Sequence, residues 1–178
     1  MIHFEHIKTP LKRDTFSVRP IKDWVESHCE GIVLNLFAGK TLLCKNEVRN
    51  DLDPDKPAHY HMDALELLKS WSGEKFDTIL LDPPYAYRKS MELYNGYICS
   101  PFRQLKDNAL RCLTAGGVVI TFGYHSIVMG KSRNCQLEEI ALFSHGGAIH
   151  DTIATVERYL PQEYTPLKYY NKIKEYGK

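Results

Sequence analysis

The sequence predicts a doubly wound α/β domain: a seven-stranded, mostly parallel sheet that finishes in an antiparallel hairpin. Two observations lead to it. Through the middle of the chain, short apolar runs alternate with stretches of helical spacing, the pattern of successive strand–helix units. Near the end, the runs 138–144 and 152–160 are joined through Gly146-Gly147, the residue type of a hairpin turn.

The elements follow in order. Pro20 precedes a helical stretch at 21–27, because proline is tolerated in a first helical turn. Residues 32–37 (IVLNLF) are rich in β-formers and stop at Ala38-Gly39. Residues 47–53 read as a second, shorter strand halted by Asp53-Pro54-Asp55, and 58–62 as a third. Asp63 then caps an amphipathic helix over 64–71. The clearest strand is 76–81 (FDTILL), closed by Asp82 and two prolines. A helix over 102–113 ends at Ala115-Gly116-Gly117, and 118–122 (VVITF) is a fifth, buried strand. The hairpin supplies the sixth and seventh. No linker or repeat divides residues 1–178, so one domain is expected, without a separate target-recognition domain.

Composition narrows the function classes. The chain has 178 residues and a formal charge of +1, ordinary for a soluble globular protein. It shows neither an apolar run of bilayer length nor a signal-peptide pattern at its start, so a cytoplasmic protein is expected. Five scattered cysteines without a CxxC pair suggest reduced thiols rather than disulfides or zinc, and the histidines lack ligand spacing, so no metal is expected. Cations gather before Trp24, just after Tyr85 and over 168–178, which suits a local phosphate-facing surface on a nearly neutral protein.

In open parallel sheets, ligands bind beyond the carboxyl ends of the strands at the topological switch point. Three polar features fall at such ends: Phe37-Ala38-Gly39, Asp51-Leu52-Asp53 and Asp82-Pro83-Pro84-Tyr85. Glycine allows close backbone approach to a ligand. An acid after the second strand can accept hydrogen bonds from ribose hydroxyls. Together they suggest an adenosine-containing cofactor. Gly39-Lys40-Thr41 matches the end of a phosphate-binding loop, but the glycine that loop requires falls at position 34, which is leucine.

The order FAG, an acid, HMDA and then DPPY resembles the amino-methyltransferases, in particular the adenine-specific DNA methyltransferases, over roughly residues 18–160. That resemblance implies a Rossmann-like class I methyltransferase fold and S-adenosyl-L-methionine as cofactor. It implies that Phe37, Ala38 and Gly39 line the methionine end, that Asp51 (or else Asp53) holds the ribose, and that Asp63 accepts a bond from the adenine amino group. The family's loop usually reads FxGxG after an acidic residue. Here Asn35 stands at the acid's place and Lys40 at the second glycine's, where Lys40 would pair with the methionine carboxylate.

The chemistry gives the tetrapeptide its composition. An exocyclic amino nitrogen is a poor nucleophile because its lone pair is conjugated with the ring. Asp82 and the Pro83 carbonyl would accept its two N–H bonds and favour the pyramidal, electron-rich nitrogen. Pro83 and Pro84 stiffen the backbone, and Tyr85 offers a face on which an extruded base stacks. Beyond the motif, Tyr87, Arg88 and Lys89 interleave cations with aromatics, as in loops that grip phosphates and stack bases.

Each feature also has a plainer use. DPPY serves as a rigid turn, Asp51 and Asp53 as a solvated turn, Asp63 as a helix cap, and Phe37 as a core aromatic. The expected activity is methylation of the adenine amino group in DNA. The alternatives are an RNA base amino-methyltransferase, for which rRNA or tRNA is the substrate, and a non-catalytic binding module with this fold. Protein glutamine methylation is disfavoured, because those enzymes usually carry asparagine where Asp82 stands. The expected partner is nucleic acid, with a protein that supplies target recognition as a further partner.

Overall fold

The computed structural model of the chain describes residues 1–12, 14–83, 102–147 and 150–161. Its elements are β1 (His3–Lys8), α1 (Arg19–His28), β2 (Val33–Asn35), β3 (Glu47–Arg49), α2 (Ala64–Ser70), β4 (Phe76–Leu81), α3 (Phe102–Cys112), β5 (Leu113–Gly123), β6 (Cys135–Ser144) and β7 (Thr152–Tyr159). The strands form one sheet in the order β1-β6-β7-β5-β4-β2-β3. β3, β2, β4 and β5 run parallel, β7 runs antiparallel to both of its neighbours, and β1 lies parallel to β6.

Period-two alternation in the central strands divides the apolar residues between two cores. Val33, Leu80, Val118 and Ile120 face one side with Ile21, Trp24 and Val25 of α1. Leu34, Ile79, Leu81 and Val119 face the other with Leu65 and Leu68 of α2 and Leu105 and Ala109 of α3. On the α1 side, the Trp24 indole meets Phe122 and Phe143 edge-on, with ring centroids 6.1 and 5.7 Å apart. Helix α1 has Pro20 in its first turn and buries Ile21, Trp24 and Val25, the i, i+3, i+4 stripe of an amphipathic helix. Gly146 turns the β6–β7 hairpin at φ +66°.

The seven strands are not quite the seven expected. The run 58–62 contributes only one isolated bridge, between Asn50 and Tyr60, instead of a strand. Pro57 lacks an N–H, and the N–H groups of His59 and Tyr60 converge on the single carbonyl of Arg49, so no ladder develops. The seventh place is taken by β1, whose partly buried residues Glu5 and Ile7 alternate with exposed Phe4, His6 and Lys8. Its inward face includes a charged residue, which hides the alternation from a reading based on hydrophobicity. The strands expected over 32–37 and 47–53 shorten to Val33–Asn35 and Glu47–Arg49.

The β1–β6 edge carries a carboxylate network. Glu139 accepts from Trp24 Nε1 at 2.8 Å, and its other oxygen lies 3.0 Å from His3 Nδ1 and 3.1 Å from His28 Nε2. Glu5 stands beside His3 and Glu139 in the same group. Burial by itself would raise the Glu139 carboxyl, but these three donors outweigh it and hold the group below its ordinary value of 4.5. A carboxyl depressed in the folded state stabilises the fold above its unfolded pKa, and the contribution is lost as pH falls through the folded value. The stability advantage of wild type over Glu139→Gln should therefore narrow as pH drops below 4.5. Thermal unfolding of both proteins between neutral and strongly acid pH checks this; a constant gap would exclude it.

The described cysteines are free thiols; Cys112 and Cys135 are buried, and Cys29 and Cys44 half-buried. Cys99 lies outside the described residues. Among the described residues, no helix is long and apolar enough to cross a membrane.

Candidate functional site

The chain leaves β2 for β3 on one side, then crosses back to β4 on the other, so the topological switch point lies between β2 and β4. Asn35 pairs with Leu80 across this boundary, and the Leu36 N–H reaches the Leu80 carbonyl at 3.3 Å. The turn Phe37-Ala38-Gly39 therefore emerges beside Asp82, one step beyond the end of β4. Asp82 is half-buried and Pro83 buried. Pro84, Tyr85, Tyr87, Arg88 and Lys89 lie outside the described residues.

On the β3 side, the Ala38 N–H donates to the Asn50 carbonyl at 2.9 Å, which brings the turn against the start of the acidic segment. Gly39 sits at φ +57°, a conformation that suits glycine, and its N–H donates to Asp51 Oδ2 at 2.8 Å. A Cβ built on Gly39 would meet nothing within 4 Å, so the turn borders open space there. Ala38 is buried, Phe37 half-buried and Lys40 exposed.

The acidic residues differ in placement. Asp51 is only 3% exposed; Oδ2 holds Gly39 and Oδ1 accepts from the Asp53 N–H at 3.0 Å. Each carboxylate oxygen has a second lone pair, so the group retains acceptor capacity while it shapes the turn. Asp53 accepts from the Asp55 N–H and pairs with Lys56 at 3.1 Å. The Asp55 N–H, then Lys56, hold its carboxyl below the usual range. Asp63 is the N-cap of α2, where Oδ1 accepts from the N–H groups of Leu65 and Glu66.

Asn35 is fully buried behind the turn. Its Nδ2 donates to Glu47 Oε1 at 2.8 Å and its Oδ1 accepts from the Phe37 N–H at 3.2 Å. Where the resembling family has an acid, this chain places an amide that links the turn to a buried carboxylate.

Sequence reasoning missed the residues beneath the turn. Glu47, Arg49 and Asn50 are all buried. Asn50 Nδ2 donates to the carbonyls of Leu36 and Met62, which ties the ends of two loops together. Glu47 and Arg49 form an ion pair at 3.2 Å with side chains 0% and 5% exposed. One signal was present: two charges at i and i+2 on a strand place both on one face. Tyr124, just after β5, and His150, just before β7, also reach this edge of the sheet, their rings 5.4 Å apart.

The chain matches no known protein-family profile. Over 80 residues it is 31% identical to the ribosomal RNA large subunit methyltransferase I of Salmonella arizonae, a stretch that is 44% of this chain and 19% of that protein. The chain thus spans about a fifth of that relative's length. Among solved structures, TrmN from Thermus thermophilus superposes with a TM-score of 0.58 at 17% identity, over 83% of this chain and 50% of that one. The N-methyltransferase NodS from Bradyrhizobium japonicum gives a TM-score of 0.54 at 15% identity, over 84% and 99%. The fold is that of the class I methyltransferases. Against that fold, the turn at 37–39, the acid at 51 and the motif beginning at Asp82 occupy three adjacent strand ends, β2, β3 and β4.

Proposed function

We propose that the protein is an S-adenosylmethionine-dependent methyltransferase whose acceptor is the exocyclic amino group of a nucleobase. The observation that carries this reading is the position of Asp82-Pro83 at the end of β4, across the switch point from an open glycine turn. The turn suits the cofactor: Gly39 leaves room for close approach, Asp51 keeps acceptor capacity for ribose hydroxyls, and Lys40 supplies a cation for a carboxylate. Asp63, already capping α2, stands at the position where the resemblance puts an adenine contact. When bound, S-adenosylmethionine supplies a methyl group activated by its sulfonium.

The protein's own work is then placement and polarisation. The Asp82 carboxylate and the Pro83 carbonyl accept the amino N–H bonds and draw the lone pair out of conjugation. The proton released as the amine is methylated passes to Asp82 or to solvent. Tyr85, Tyr87, Arg88 and Lys89 are proposed to hold the base and its phosphates.

RNA is the favoured polymer, supported by the stretch of likeness to a ribosomal RNA methyltransferase. Adenine in DNA is the second reading, favoured by the DPPY tetrapeptide itself. Labelled methyl transfer to total RNA, unmethylated DNA and protein, run in parallel, tests both. Label in RNA alone is the expected result. Label in DNA alone would move the substrate to the second reading, and label in none of the three would remove the activity.

A further inference from the structure

We infer that Arg49 is a positioning residue for cofactor binding, holding the Phe37–Gly39 turn in place of a crossover helix. Parallel strands are usually joined through a helix, which satisfies its own backbone hydrogen bonds. The crossover from β2 to β3 covers residues 36–46 and contains no helix. Its polar groups must therefore find partners elsewhere, and Glu47 and Arg49 provide them.

The guanidinium has five N–H donors, and all five are engaged. Nε donates to the Pro57 carbonyl at 2.8 Å. One terminal nitrogen donates to Thr41 O at 2.6 Å and to Glu47 Oε2 at 3.2 Å. The other donates to Ala38 O at 3.2 Å and to Gly39 O at 3.0 Å. Glu47 completes the support, accepting from Asn35 Nδ2 and from the Leu43 N–H, each at 2.8 Å. A charge this buried is costly unless paired and fully hydrogen-bonded, and here it is both.

This arrangement acts on the site through peptide geometry. In a trans peptide the C=O and the following N–H point in opposite directions. Drawing the Gly39 carbonyl toward Arg49 directs the Lys40 N–H away from it, while Asp51 holds the Gly39 N–H. The Lys40 N–H is thereby set as a donor for an anionic group, the chemistry of an amino-acid carboxylate, and the exposed Lys40 side chain adds a cation at the same turn. The ion pair with Glu47 cancels the net charge beneath the turn, so Arg49 acts by orienting dipoles. Lysine cannot replace it, because one ammonium cannot span the carbonyls of Ala38, Gly39, Thr41 and Pro57.

The inference rests on the reading of this turn as the S-adenosylmethionine site, and the test separates the two. Calorimetry with S-adenosylhomocysteine is run on wild type, Arg49→Lys and Arg49→Ala, with near-ultraviolet dichroism to check folding. Arg49→Lys should stay folded and bind about tenfold or more weakly, the loss expected when hydrogen bonds from a charged group are removed. In methyl transfer, the cofactor KM should rise while kcat at saturating cofactor stays within about twofold, the pattern of lost binding rather than lost chemistry. Added ethylguanidinium should restore part of the affinity of Arg49→Ala. A wild type that binds no S-adenosylhomocysteine would sink the cofactor reading. Wild-type binding with an equal affinity in Arg49→Lys, a kcat loss at unchanged KM, or an Arg49→Lys protein that no longer folds would overturn the role of Arg49 alone.

Discussion

Replacing Asp82 with alanine is expected to lower methyl transfer by about 10²–10³-fold, the scale of losing one preorganised polar group at a reacting centre. Affinity for S-adenosylhomocysteine should change by less than about twofold, because the turn, Asp51 and Lys40 are left in place. The expectation follows from position. Asn35 and Leu80 are paired across the switch point, so Phe37 and Asp82, each two residues further along, leave the sheet at the same edge. Asp82 is half-buried there, in a setting where a carboxylate's field on a nearby amine is less screened than in water. Asp82→Asn keeps one acceptor oxygen but loses the negative charge, so its rate should fall between those of wild type and alanine. Single-turnover transfer at saturating cofactor measures the effect. If Asp82→Ala transferred at the wild-type rate, the carboxylate would have no part in the chemistry.

Much of this geometry was legible in the chain, and the exceptions share a cause. Runs such as 76–81 and 118–122 announce central strands because both faces of the sheet are covered, leaving few polar residues to obscure them. The glycine turn and Asp82 could be placed because each follows an apolar run that must end at one edge, and Asp51 because Asp53-Pro54-Asp55 stops the short strand before it. Residues that carry charge into the interior were not legible. Glu47 and Arg49 on β3 look like surface residues, and only the partners brought near by folding account for their burial; Glu5, half-buried on β1, reads the same way in the sequence. Nothing in the residues between the first two strands revealed that Arg49 would do the work of a crossover helix. The Asn50–Tyr60 bridge shows the reverse error, in which residues with strand propensity met an acceptor already shared and formed no ladder.

The same principle identifies the largest expected stability effect. Glu157 on β7 is fully buried and belongs to no ion pair among the described residues. Its Oε2 accepts from the N–H groups of Val128 at 3.0 Å and Met129 at 2.7 Å, and its Oε1 from the Gly130 N–H at 2.7 Å. Three successive backbone donors thus converge on one carboxylate, which anchors the segment leaving β5. That segment places Met129 in the core with Leu105 and Ala109, and the Lys106 ammonium reaches the Val128 carbonyl at 2.9 Å. Desolvation, and then the nearby Arg133 cation, lower the pKa of Lys106 against the opposing pull of Glu157 and Asp107. Glu157→Ala removes every one of these acceptors and leaves three donors without their partner, each costing about 1–3 kcal/mol where water does not enter. The expected loss is about 3–5 kcal/mol, because the segment can relax enough to hydrate part of what is exposed. Glu157→Gln keeps one acceptor oxygen but turns an NH₂ group toward backbone donors, so it should recover only a minor share. Urea unfolding of the three proteins measures both effects. A Glu157→Ala midpoint equal to wild type would mean that the segment after β5 is held by its apolar contacts alone.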